Sequence, residues 1–197
     1  MIKEVEAVSN ILYIFITSMF TSNVCVGTGF AVPSLLAYKR SFAYTAILSA
    51  VFAFNLILSG VAYFLIYNYV LLTTATEFLS LFIMVLFVGI FSFVAYFFIK
   101  AVNKQAFYVY EKSYTFLLMM VSVLGILIST TANQTFSNYF LTLLFSAIGF
   151  LFINFFIYGA YFKINGTYAP KYLKGLPLML ITLSVIGVAF SIFGLLL

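Results

Sequence analysis

Six long apolar runs, separated by short stretches that hold nearly every charge, decide what this chain can fold into. They fall at about 9 to 37, 42 to 71, 78 to 101, 113 to 132, 137 to 162 and 176 to 197. The hydrocarbon core of a bilayer takes about 20 apolar residues per helical span, so each run predicts one transmembrane helix. Nothing is left over for a separate soluble domain. Of the 197 residues, 65% are apolar and 7% charged, against roughly 45–50% and 25% in soluble domains. The expected fold class is an all-α membrane protein of six transmembrane helices, one domain over residues 1–197, multi-pass in the cell membrane with lipid around it.

The charges set the orientation. Lys39 and Arg40 follow the first run, Lys100, Lys104 and Lys112 the third, and Lys163, Lys171 and Lys174 the fifth, whereas the opposite face has only Lys3. The positive-inside rule puts the eight in the cytoplasm and both termini outside the cell. The formal charge of +5 therefore reports topology. Because the bases are scattered through short connections, no nucleic-acid surface is expected. The N-terminal stretch Met1–Glu6 has two acids beside one base, with no small-residue cleavage pattern after it, and reads as the start of a retained first helix.

Much chemistry is excluded by residue type. The chain has no histidine and one cysteine, Cys25, which rules out an intrachain disulfide and a four-thiolate metal site. There is no phosphate-binding glycine loop, no Ser-His-Asp set and no carboxylate pair, so soluble-type enzyme chemistry has no candidate residues. No Asp, Glu, Lys or Arg sits at the centre of a run, which argues against an autonomous proton pump. Glu77, Lys100 and Glu111 lie near run ends, where such side chains snorkel to water. The 26 Phe and 15 Tyr read as lipid-facing filling with interfacial tyrosines.

Two runs carry internal irregularities. The second is longer than a perpendicular span needs and holds Asn55 and Ser59-Gly60 near its middle, so tilt or a local kink is expected there. The first places Asn23, Cys25, Gly27, Thr28, Gly29, Val32 and Pro33 at membrane depth. Proline removes a backbone donor and glycine loosens a helix, so the freed groups must be buried in protein or line a wet cavity. Discontinuous helices of this kind form the midplane sites of inverted-repeat transporters. A kinked, tightly packed helix is the plainer alternative.

The order of these features resembles the RnfA and NqrE type of membrane subunit in the Rnf/Nqr family. The resemblance covers nearly the whole chain. It is carried by Asn23 through Pro33 to Lys39-Arg40, by Val123-Leu124-Gly125, by Phe145-Ser146-Ala147-Ile148-Gly149-Phe150, and by Ala169-Pro170 with Lys174-Gly175 leading into Leu180-Ile181-Thr182. What it implies is a 3+3 inverted repeat with half-repeats of about 1–102 and 103–197, and with the first and fourth helices broken near the midplane. In the family, a cysteine from each half joins those of a homologous subunit to hold an iron-sulfur cluster, the usual thiolate ligation. Here Val32 and Val121 stand at the two cysteine positions, and valine cannot ligate iron. The resemblance therefore implies no cofactor in this chain.

The midplane candidates are accordingly Asn23, Cys25, Gly27, Thr28, Gly29, Val32 and Pro33 in the first half, and Val121, Ser122 and Gly125 in the second. Three functions stay open at this point. One is a divergent Rnf/Nqr-like subunit, a scaffold for electron transfer or coupled ion translocation beside a homologous partner. Another is a small-solute or ion transporter using Asn23, Thr28 and Ser122. The third is a non-catalytic scaffold in a larger assembly.

Overall fold

A computed structural model describes residues 11–21, 42–74, 76–102, 115–130, 135–167, 170, 172–174 and 176–195. Among the described residues the secondary structure is helical, joined by short turns, with no strand. Helix α1 covers 11–21 and ends in a π-helical turn, Thr17–Thr21. It is followed by α2 (Phe42–Ile66), α3 (Ser80–Val102), α4 (Thr115–Ser129), α5 (Phe136–Thr167) and α6 (Leu176–Leu195). Hydrocarbon offers backbone groups no partner, so an apolar run in lipid satisfies its own N–H and C=O groups by coiling.

Among the described residues, three stretches are long and apolar enough to cross a membrane: Thr45–Thr74, Glu77–Ala101 and Phe136–Gly159. The protein is thus a helical membrane protein by the length and composition of its helices. Segment Leu180–Ala189 is apolar but shorter.

The second run does not break where its polar residues lie. The α-helix continues through Asn55 and Ser59-Gly60, and the irregularity comes later, in a π-helical turn at Tyr67–Leu71 followed by a last turn, Leu72–Thr74. Side chains cover carbonyls around this loosened turn. Asn68 Nδ2 donates to Phe64 O at 3.0 Å, and the Thr73 and Thr74 hydroxyls donate to Tyr69 O and Val70 O at 2.9 and 2.7 Å. The polar residues in mid-helix leave the α-helical hydrogen bonding uninterrupted.

The core is a seam between α2 and α5, the most extensive helix pair in the fold. On α2 the buried residues that line this seam include Thr45, Ser49, Phe52, Leu56, Ser59 and Tyr63. On α5 they include Tyr139, Leu143, Ser146, Phe150, Ile153 and Ile157. Both sets alternate steps of four and three, the spacing with which straight helices pack side by side over a long contact. Phe52 and Phe150 meet face to face at 3.6 Å with their planes 15° apart. Hydroxyl-bearing residues at Thr45, Ser49, Ser59 and Ser146 keep side chains small along the seam, as in membrane helix pairs generally.

The remaining helices dress this pair. α3 packs on α2 and α4, α4 also touches α2, the π-turn of α1 packs on α5 and α6, and α6 packs on α5. Phe15 and Phe145 join α1 to α5 edge to face at 5.1 Å. α3 is peripheral: 22% of its span is buried, against 47% for α2. Its outer surface carries Phe82, Phe93, Phe97 and Phe98.

Candidate functional site

Of the residues singled out in the sequence, Asn23, Cys25, Gly27, Thr28, Gly29, Val32 and Pro33 lie outside the described residues. The segment that enters them is described, and it is the π-turn Thr17–Thr21. Thr17 Oγ1 donates back to Tyr13 O at 2.7 Å, and Ser18 is buried. Single π-turns inside α-helices are frequent at functional sites.

The three candidates of the second half all lie on α4, but the helix separates them. Ser122 is 1% exposed and Gly125 is buried, whereas Val121 is 39% exposed and faces outward. Nor is α4 broken there. It runs as one α-helix from Thr115 to Ser129, contrary to the interruption that the resemblance implied near Val121. The physical reason lies in its sequence, TFLLMMVSVLGILIS, which has no proline and a single glycine. One glycine costs a helix only about 1 kcal/mol relative to alanine.

The buried polar groups gather instead along α2 and α5. Asn55 Nδ2 donates to Ser92 Oγ, tying α2 to α3. Ser59 Oγ turns back onto Asn55 O at 2.6 Å. Asn154 Nδ2 donates to Ser49 Oγ at 3.0 Å, joining α5 to α2 across 105 residues of chain. Both asparagines are almost fully buried, and the Oδ1 of each has no hydrogen-bond partner. An unsatisfied buried acceptor costs about 1–3 kcal/mol. Such an oxygen can accept from a water or a solute N–H, but one amide and one hydroxyl oxygen are too few to strip a hard cation of its hydration shell.

Ser49 and Ser92 were not legible as partners, since a serine in an apolar helix can satisfy itself on its own backbone. Asn55 and Asn154 stand out as polar residues in apolar runs and share a local pattern. Asn55 is followed by Gly60, and Asn154, at the same spacing, by Gly159. The two glycines meet different surroundings. A Cβ on Gly60 would come within 2.5 Å of Leu143 Cδ1 and 3.2 Å of Leu127 Cδ2, whereas one on Gly159 would meet nothing within 4 Å.

Among the described residues, every buried polar side chain is an uncharged amide or hydroxyl, and no three His, Cys, Asp or Glu side chains gather into a metal-binding group. No family model matches the chain, and no curated protein compared with it is similar to it.

Proposed function

We propose that the chain is a membrane subunit of the Rnf/Nqr kind, six spans arranged as two inverted halves. In this reading it serves beside a homologous partner as the scaffold for electron transfer or coupled ion translocation, without an iron-sulfur cluster of its own. The observation that carries the reading is the pattern of helix contacts. Exchanging α1 with α4, α2 with α5 and α3 with α6 turns each substantial contact described above into another of the same set. Such invariance is what two similar three-helix halves related by a pseudo-two-fold axis would produce. The matched pairs Asn55/Gly60 and Asn154/Gly159, on the middle helix of each half, support it.

A cluster does not fit the residues present. Helix α4 carries no cysteine, and Val121 offers neither a ligand atom nor an inward direction. The subunit's contribution is then positional: it holds the low-dielectric frame against which a partner's redox group or ion path is set. With the chain tagged and purified from membranes, a homologous membrane protein is expected to accompany it at fixed stoichiometry. Any iron-sulfur signal in the electron paramagnetic resonance spectrum should be unchanged by Cys25→Ser. A signal lost on that substitution, or purification with no such partner, overturns the reading.

Orientation belongs to the same proposal. The eight bases that follow the first, third and fifth runs in the sequence support termini outside the cell. A protease-cleavable tag after Leu197 should be cut in intact cells, and protection of the tag until the cells are lysed would reverse the topology.

A further inference from the structure

We propose that each of the two buried asparagine–serine pairs, Asn55 with Ser92 and Asn154 with Ser49, is a binding site for one internal water molecule. In both pairs the amide Nδ2 donates and the serine Oγ accepts. What remains in each pair is complementary. The serine keeps its own O–H to donate, and the amide keeps an oxygen that accepts. Asn55 Oδ1 and Asn154 Oδ1 have no hydrogen-bond partner, on side chains that are 2% and 0% exposed. A molecule that takes a hydrogen bond from the serine and gives one to the amide oxygen satisfies both groups at once.

Size and charge narrow the occupant to water. One turn from the first pair, Ser59 on α2 and Ala95 on α3 are small and buried. One turn to either side of Ser49 in the second pair, Thr45 is buried and Ala53 half-buried. Small side chains leave room for a water, which needs roughly two to four polar partners, and each pair supplies the minimum. Neither pair includes a charged group, so an ion would find nothing there to replace its hydration. Native interiors ordinarily place water on a buried amide oxygen that the protein itself leaves unbonded.

Depth sets these waters apart from those at the membrane surface. Ser49 and Asn55 lie about 10 and 20 Å along the axis from Phe42, where α2 starts. Asn55 bonds to α3, whereas Ser49 bonds to α5. The two sites are therefore on different sides of α2 and are occupied independently.

The inference rests on the buried pairs and not on any redox or transport role, so the two fail separately. The test is infrared difference spectroscopy of the full chain in lipid bilayers, in ordinary water and in heavy-oxygen water. A bound water shows an O–H stretch that moves when its own oxygen is replaced, whereas a serine O–H stretch stays where it was. Asn154→Leu should remove one oxygen-sensitive band, Asn55→Leu another, and the double variant both. Ser49→Ala keeps the amide and takes away the donor, so it should shift the band of the Asn154 site, and it carries the test if Asn154→Leu fails to fold. Asn68→Leu, at an amide that donates to Phe64 O beside the π-turn, should leave both bands in place. No oxygen-sensitive band lost with either asparagine, no shift in Ser49→Ala, equal loss in Asn68→Leu, or loss only of bands insensitive to the oxygen isotope would each overturn the proposal.

Discussion

Phe52→Ala is expected to lower the unfolding free energy of the chain by about 3 kcal/mol, at the lower end of the range for burying and then removing a large aromatic ring. The ring is fully buried and stacks on Phe150 at 3.6 Å at the middle of the α2–α5 seam. In a soluble protein the loss would combine transfer from water with an emptied cavity. Here the alternative to the core is lipid, as apolar as the core itself, so the transfer part shrinks and lost packing makes up most of the loss. Phe54, two positions along and 44% exposed, supplies the control: Phe54→Ala should change stability by no more than about 0.5 kcal/mol. Titrating folded chain with denaturing detergent in mixed micelles, and following helix content or trapping of the separated halves, reads both. Equal effects from the two substitutions would mean that the seam is not the core.

The second large effect comes from Gly60. Alanine there drives Leu143, itself fully buried, out of its position and crowds Leu127. Overpacking of this kind costs about 1–3 kcal/mol, offset by about 1 kcal/mol of helix propensity gained on replacing glycine. Gly60→Leu gains about as much helix propensity but sets three more carbons against Leu143 and Leu127, and should lower stability by about 3 kcal/mol. Gly159, its counterpart by sequence, has open space around its Cα, so Gly159→Ala should be neutral or slightly stabilising. A thermal-aggregation series in detergent orders the variants, and Gly60→Leu melting with the parent would place α2 further from α4 and α5 than the structure has it.

The helices were largely legible because length and apolarity decide them. The expected run at 78 to 101 appears as Ser80–Val102, and that at 176 to 197 as Leu176–Leu195. The facing of each helix was not legible, for a physical reason: in lipid, inside and outside are equally apolar, so the contrast that betrays the buried face of a soluble helix is missing. Phe52 and Phe54 look alike in sequence, yet one is in the core and the other on the surface. The second run stays α-helical through Ser59-Gly60 and has its π-helical turn at Tyr67–Leu71, since a helix-bound serine hydroxyl and one glycine under packing pressure do not unwind a helix. Within the candidate site, Ser122 and Gly125 turned inward but Val121 did not, a difference of about 100° around the helix that no residue type announces.

The Asn154–Ser49 bond has a consequence for synthesis. Its two ends are 105 residues apart, and chains emerge at about 5–20 residues per second. For several seconds to some twenty seconds, then, α2 must wait in the bilayer with its hydroxyl-lined seam unmatched. Ser59 is equipped for the wait, because its hydroxyl is already spent on Asn55 O of its own helix. Ser49 accepts from Asn154 only when α5 arrives, and the amide of Asn154 enters the bilayer with that acceptor already waiting on α2, which makes the insertion of the fifth span the step that joins the two halves.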